Sequence, residues 1–374
     1  MRIAIALACI LAFGVVHASE RPRAREAGVV IGTMPTGPRN AIVDVAGVRV
    51  GHATVIEGDD VRTGVTAILP HGGNLYAERV PAAIHVANGY GKLLGISQVR
   101  ELGELETPIL LTCTLCVWKA ADALVEWQLA QPGMAHVRSL NAVVGETNDG
   151  YLNDIRARPL RPEHVRAALE SASTDNVQEG AIGAGTGTVA FGWKGGIGTS
   201  SRTTDAGHTV GVLVQSNFGG SLVVAGIPAW RGLPDPATLA DGVGAPPAAP
   251  PVADGDGSIM IVVATDAPLD ARQLRRLGER AISGLARTGS SMSNGSGDYV
   301  IAFSTAASVR RRQGEVVHAS PALDNGAMDA LFVGVAEATE EAIINSLFKA
   351  EAMRGDRGFV PALPVQQVLG LLRE

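Results

Sequence analysis

Apolar positions along this chain fall into short β-branched runs separated by glycine-rich turns, with a few longer stretches of helical spacing. Asn40–His52 alternates partially and carries Gly47 within it, which predicts strand, turn, strand. Val65–Pro70 predicts a further strand. Ala120–Leu129 has helical spacing and Ala/Leu/Glu propensity, and stops before Pro132-Gly133. Pro162–Ala172 predicts a helix with proline near its first turn. After the glycine-rich stretch Gly180–Gly198, the β-branched runs His208–Gln215 and Ser221–Ile227 predict strands on either side of the turn Ser216-Asn217-Phe218-Gly219-Gly220. Ser258–Ala264 predicts another strand, and Asp270–Arg287 a helix with an acidic N-cap and basic residues along it. A Ser/Gly loop, Gly289–Gly297, leads into a predicted strand Asp298–Ser304, and a helix is expected over Ala338–Met353.

Two segments stand outside this pattern. Arg2 precedes the apolar run Ile3–Val16, and Val16-His17-Ala18 offers a small-residue cleavage site before Ser19. Residues 1–18 are therefore expected to be a secretory signal peptide, which predicts a periplasmic or secreted protein that leaves the membrane once the signal is removed. The alternative, an uncleaved anchor, is disfavoured by the shortness of the run. A polar arm, Glu20–Glu26, follows. The second segment is a linker from about Arg231 to Gly257, with prolines at 234, 236, 246, 247, 250 and 251. It divides residues 19–257 from residues 258–374.

Composition narrows the function. The chain has 374 residues, 46 glycines and a net charge of −6 without a basic block, so nothing supports nucleic-acid binding. Cys113-Thr114-Leu115-Cys116 could be a disulfide or a redox pair, but its apolar surroundings favour two buried thiols. A zinc site would need ligands that no second Cys-x-x-Cys or His pair supplies. Gly183-Ala184-Gly185-Thr186-Gly187 fits neither a dinucleotide nor a phosphate-loop pattern and reads as a turn bringing backbone close to another element. No His-Glu-x-x-His motif occurs, and no Gly-x-Ser-x-Gly elbow lies in a strand–helix context.

The junction Gly257-Ser258 remains, where the linker meets a buried strand. A chain cut there exposes a serine carrying a hydroxyl and a free α-amine, nucleophile and base in one residue. The plainer reading is a loop entering a strand. Asn217 could aim an amide N–H at an oxyanion, Ser296 and Asp298 could orient a serine or its amine, and Glu146 and Tyr151 fall in a polar stretch, Gly145–Asp154, that looks like a pocket edge at the surface.

Together these segments resemble the self-processing L-aminopeptidase/D-amino-acid esterase-amidases and β-peptidyl aminopeptidases. The resemblance runs from about Gly37 to Leu372. Besides the Gly257-Ser258 junction it is carried by Gly37–Ile42, Val50-Gly51-His52, Arg62–Thr66, Gly145–Asp154, Gly183–Arg202, Leu213–Gly219, Ser258–Pro268 and Arg287–Ala302. It implies a four-layer α/β/β/α sandwich, like that of the N-terminal-nucleophile hydrolases with distinct connectivity, and cleavage between Gly257 and Ser258 into an α-chain and a β-chain that assemble as a tetramer of αβ units. It further implies Ser258 as nucleophile, Asn217 in the oxyanion hole, Ser296 and Asp298 positioning the nucleophile and its amine, and Tyr151 lining the site. Glu146 would hold the ammonium of a small amide, ester or short-peptide substrate with an L-, D- or β-residue at its N-terminus. No metal or organic cofactor is implied. One departure stands out: where the family has Thr-Asn-Thr, this chain has Thr112-Cys113-Thr114, followed by the bulky Trp118.

Three other functions remain for comparison. An endo-acting oligoamide hydrolase of the same scaffold tends to carry threonine at the cut. An acyltransferase of the ornithine acetyltransferase kind predicts a threonine nucleophile and no signal peptide. An exported binding protein without catalysis would keep the Gly257–Ser258 bond intact.

Overall fold

The computed structural model describes residues 21–175, 177–241, 257–317 and 321–373. The expected signal peptide and most of the linker lie outside the described residues. In chain order the strands are β1 (Arg49–Glu57), β2 (Val61–Leu69), β3 (Glu78–Gly89), β4 (Leu93–Leu94), β5 (Glu104–Leu105), β6 (Ile109–Cys113), β7 (Val143–Thr147), the small hairpin β8 (Val189–Ala190) and β9 (Trp193–Lys194), β10 (Gly196–Thr203), β11 (Thr209–Asn217), β12 (Ser258–Thr265), β13 (Gly297–Ser304), β14 (Arg311–Arg312) and a C-terminal hairpin of β15 (Met353–Gly355) and β16 (Gly358–Val360). The main helices are α1 (Ile96–Leu102), α2 (Val117–Leu129), α3 (Pro162–Glu170), α4 (Pro236–Asp241), α5 (Ala271–Arg287) and α6 (Asp329–Lys349).

Two sheets stack face to face. One runs β1-β2-β6-β7-β4; the other runs β10-β11-β12-β13-β3-β14, with β5 also paired to β3. Ile68, Leu111, Leu213, Met260 and Ile301 fill the space between them. Helices α2 and α3 cover the outer face of the first sheet through Val117, Leu124, Val165 and Leu169. Helices α5 and α6 cover the outer face of the second through Leu277, Leu285, Ile343 and Leu347. The result is the expected four-layer α/β/β/α sandwich. Strand β12 is buried at every position, which accounts for its continuous apolar run in place of an alternating one.

Helix α5 matches expectation, down to the cap. Asp270 accepts the Gln273 amide at 2.7 Å and Gln273 returns a bond to the Asp270 amide. Three expectations need correction. Ile42–Asp44 forms a 3₁₀ turn in place of a first strand, because Asp44 turns back to accept the Arg39 and Ala41 amides. Ser221–Ile227 is not a strand: Ala225 and Gly226 take left-handed conformations that fold Val224 back onto Ile227. Helix α6 begins nine residues before its expected start and ends at Lys349, short of Met353. It is buried on nearly all sides, with Glu337, Glu341 and Asn345 inside, so no amphipathic stripe marks its extent. The two acids are matched by Arg202, whose guanidinium meets Glu337 at 3.1 Å and Glu341 at 2.7 Å, while Asn345 accepts the Ala24 amide and donates to the Thr199 carbonyl. The polar arm docks on the same helix through Arg25 and Glu341.

The Gly183–Gly187 turn behaves as read. A methyl group on Gly187 would lie 2.0 Å from the Arg62 carbonyl, and one on Gly185 2.4 Å from the Ile197 amide, so the backbone itself packs there.

Candidate active site

Ser258 opens β12. Its register partner on antiparallel β11 is Asn217, the last residue of that strand. Its partner on parallel β13 is Gly297, the first residue of that strand. Three strand ends therefore converge on the Gly257–Ser258 peptide. The Gly297 amide donates to the Gly257 carbonyl at 3.1 Å and to the Ser258 hydroxyl at 3.3 Å. Gly257 has no room for a side chain, since a Cβ would sit 2.9 Å from the Phe218 Cα.

Asn217 is clamped at both ends of its amide. Oδ1 accepts the Val189 amide at 2.9 Å, and Nδ2 donates to the Asn148 carbonyl at 2.9 Å. Its second N–H is left to point elsewhere. The β8–β9 hairpin that presents Val189 rests on Lys194, whose fully buried ammonium donates to the carbonyls of Gly185, Thr188 and Gly195. Burial pushes that ammonium down to about 7, with Asp149 opposing the shift. Burial likewise pushes the Asp149 carboxyl up to about 7.

Asp298 follows Gly297 and pairs in register with Ile259. Its Oδ1 accepts the Ser296 hydroxyl at 2.6 Å, while Oδ2 is buried without a partner. Burial pushes its carboxyl up to about 6, with Ser296 and the Ile259 amide pulling the other way.

Glu146 corrects an expectation. It is not at a surface edge but inside β7 on the facing sheet, 1% exposed. The turn Gly89–Lys92 links it to the nucleophile's side. The Lys92 amide donates to Glu146 Oε1 at 2.9 Å, and the Tyr90 amide donates to the Ser296 carbonyl at 3.2 Å. Between them, a Cβ on Gly91 would lie 3.0 Å from Glu146 Oε1 and 3.2 Å from the Gly297 Cα, so a side chain there would crowd both the carboxylate and the strand end. Glu146 Oε2 is buried and unpartnered. Burial raises its pKa, with the Lys92 charge the main opposing influence.

Tyr151 packs against the small cluster of Leu152, Val189 and Val360, one residue removed from Asn217 through Val189. The structure thus gathers Gly257, Ser258, Asn217, Ser296 and Asp298 at one sheet end, brings Glu146 in across Gly91, and sets Tyr151 behind the Asn217 clamp. Sequence reading missed Lys92, Gly297 and Lys194. The turn-rich run Asn88-Gly89-Tyr90-Gly91-Lys92 was the visible signal for the first of these.

Cys113 and Cys116 are joined in a disulfide, not left as the two thiols expected. The strand β6 ends in a 3₁₀ turn, Thr114–Cys116, and such a turn eclipses residues three apart. Among the described residues no group of three His, Cys, Asp or Glu side chains is placed to hold a metal.

Two stacked sheets flanked by helices, with a buried serine heading a central strand, define an N-terminal-nucleophile-hydrolase-like sandwich. The model of peptidase family S58 matches residues 40–360, and the chain belongs to that family. It is accordingly a hydrolase. It is 39% identical to the β-peptidyl aminopeptidase BapA of Sphingosinicella microcystinivorans, over 95% of this chain and 93% of that one. Among solved structures, a β-aminopeptidase of a Burkholderia species superposes with a TM-score of 0.84 at 38% identity, over 94% of this chain and 98% of the other. The L-aminopeptidase D-Ala-esterase/amidase of Ochrobactrum anthropi, described as a new variant of the Ntn hydrolase fold, superposes with a TM-score of 0.85 at 35% identity, again over 94% and 98%.

Proposed function

We propose that the chain is an exported, self-processing serine aminopeptidase that removes N-terminal residues from small amides, esters or short peptides. The observation that carries this is the Gly257–Ser258 peptide itself, buried at the head of β12 with the Gly297 amide on both its carbonyl and its hydroxyl. In the first step the Ser258 hydroxyl attacks the Gly257 carbonyl, whose developing negative charge falls on the Gly297 N–H. The C–N bond breaks as Ser258 nitrogen takes a proton, leaving an ester. Water then splits the ester, freeing Gly257 as a carboxylate and Ser258 as an N-terminal residue. Before the cut no α-amine exists to take the hydroxyl proton. Asp298, one register step away with a bare Oδ2, is the carboxylate suited to receive it.

After the cut the two chains stay paired, since β11 and β12 are neighbours in one sheet. The Ser258 α-amine, with an unperturbed pKa of about 7.7–8.0, serves as base for its own hydroxyl. Asp298 Oδ2 holds that amine, Ser296 fixes Asp298, and the free N–H of Asn217 meets the oxyanion. Tyr151 supports this wall. The substrate's ammonium docks on the bare Oε2 of Glu146, a charge-assisted bond that only an unblocked N-terminus can make. The similarity to proteins named aminopeptidases supports this reading. Assembly as a tetramer of αβ units, and export through residues 1–18, belong to the same proposal.

A denaturing gel with N-terminal sequencing tests it. Active protein gives two fragments, the smaller beginning Ser-Ile-Met, and Ser258→Ala gives a single uncut chain without activity. Full activity in an uncut chain would end the proposal.

A further inference from the structure

The bare oxygen of Glu146 has a charged neighbour that an ammonium site does not need. Lys92 Nζ lies 3.5 Å from Glu146 Oε1, with the carboxylate buried and the lysine side chain 38% exposed. Oε1 already takes the Lys92 backbone amide as well, so it is doubly served while Oε2 is empty. The ammonium donates to Thr114 Oγ1 at 2.8 Å and faces Glu146 Oε1, which leaves one of its three N–H groups uncommitted on its exposed side. Thr114 lies in the loop closed by Cys113 and Cys116, so the lysine head rests on a covalently closed turn. The pair thus holds a buried acceptor without a partner beside an ammonium with an uncommitted N–H, two groups of opposite charge.

A plain amine substrate gains from the acceptor but is repelled by the donor, because the lysine is a second cation on the same carboxylate. A substrate carrying an amine and a carboxylate on one carbon satisfies both. In an ordinary N-terminal residue that carboxyl is the scissile carbonyl and is uncharged. A free carboxylate on the amine-bearing carbon requires linkage through the side chain, with the scissile carbonyl one methylene further on. Gly91 keeps Glu146 and the Gly297 strand end close enough for such a short residue to span them.

We propose that Lys92 is a specificity-determining residue which, with Glu146, forms a clamp for an amino group and a carboxylate on one carbon, directing the enzyme to N-terminal β-aspartyl (isoaspartyl) peptides. The inference rests on the aminopeptidase reading above. Ser258 Oγ bonds to the β-carbonyl carbon, the C–N bond breaks, and the shortened peptide leaves as an amine carrying the serine proton. Water then cleaves the β-aspartyl ester, releasing aspartate and restoring the hydroxyl.

The test compares β-aspartyl p-nitroanilide with β-alanyl p-nitroanilide, which differ only in that carboxylate, on the matured enzyme. The expected kcat/KM ratio favours β-aspartyl by about tenfold or more, carried mainly by KM. Lys92→Met, checked for complete maturation on a gel, is expected to bring the ratio to about one. Lys92→Gln replaces it if the methionine variant does not mature. A wild-type ratio below about threefold overturns the inference while leaving the aminopeptidase reading intact. So does a high ratio that persists in matured Lys92 variants, since the carboxylate is then read elsewhere. Failure to hydrolyse either substrate overturns the inference, and failure on L- and D-alanyl p-nitroanilides as well overturns the aminopeptidase reading.

Discussion

Asn217 and Ser258 face each other as the terminal pair of β11 and β12, and the amide of Asn217 is held from both sides by Val189 and Asn148. The residue proposed to stabilise the oxyanion is therefore fixed by contacts that do not involve the nucleophile. A donor locked before substrate arrives has little reorganisation left to do during reaction. Replacing Asn217 by alanine is expected to lower turnover by about two to three orders of magnitude in correctly cut protein. Steady-state kinetics on a p-nitroanilide checks this, and unchanged turnover would remove Asn217 from the role.

Self-cleavage should depend on the Asp298 carboxyl. Burial raises it to about 6, so below that value it is protonated and cannot take the Ser258 proton. The cleavage rate of uncut precursor is thus expected to climb as pH increases through about 6. Asp298→Asn should slow the cut and flatten the profile. The fraction of cut chain on time-resolved gels across acidic and neutral buffers gives the answer, and a wild-type profile without that rise counts against Asp298.

Glu146→Ala is expected to impair free-amine substrates far more than N-acylated ones, because only the former place a cation on Oε2. The loss of one charge-assisted bond corresponds to about tenfold or more in kcat/KM. Equal losses on both substrate types would contradict ammonium docking at this carboxylate.

Arg202 tests the architecture away from the site. Its guanidinium is wholly buried between Glu337 and Glu341 and also donates to the Ile31 and Ser201 carbonyls. Arg202→Met removes the buried cation shared by both carboxylates, leaving Glu341 to Arg25 and Glu337 to the Thr33 and Met34 amides, at an expected cost toward the lower end of about 3–5 kcal/mol. Urea unfolding of the Ser258→Ala precursor measures it without interference from chain cleavage. Glu337 also gives a pH signature. Burial pushes its carboxyl up, but the Thr33 and Met34 amides and Arg202 outweigh that and hold it below its ordinary value. Its contribution is therefore full above the unfolded carboxyl range and is lost as pH falls through the depressed folded value.

Much of the sandwich was legible because its elements carry strong local signals. The β12 run, the acid-capped α5 and the proline-started α3 all lie within a few residues of expectation. Helix α6 was half hidden, since a helix buried all round with Arg202 satisfying its acids has no polar face to mark it. Ser221–Ile227 has strand composition, and the left-handed pair Ala225-Gly226 overrides it. Of the candidate site, Ser258, Asn217, Ser296 and Asp298 were legible as polar residues at strand ends. The depth of Glu146 was not: polar residues close together suggest a surface turn, and only the stacking of a second sheet buries them.

By itself, the sequence determined that a glycine–serine bond lies where a proline-rich linker meets a buried strand, with hydroxyl, carboxylate and amide groups at the ends of other strands. Those are local properties of composition and periodicity. Only the folded chain pairs Asn217 with Ser258, sets the Gly297 amide on the Gly257 carbonyl, and brings Glu146 of the facing sheet up against Gly91. Strand register and sheet stacking are set by contacts between residues far apart in the chain, and no local pattern encodes them.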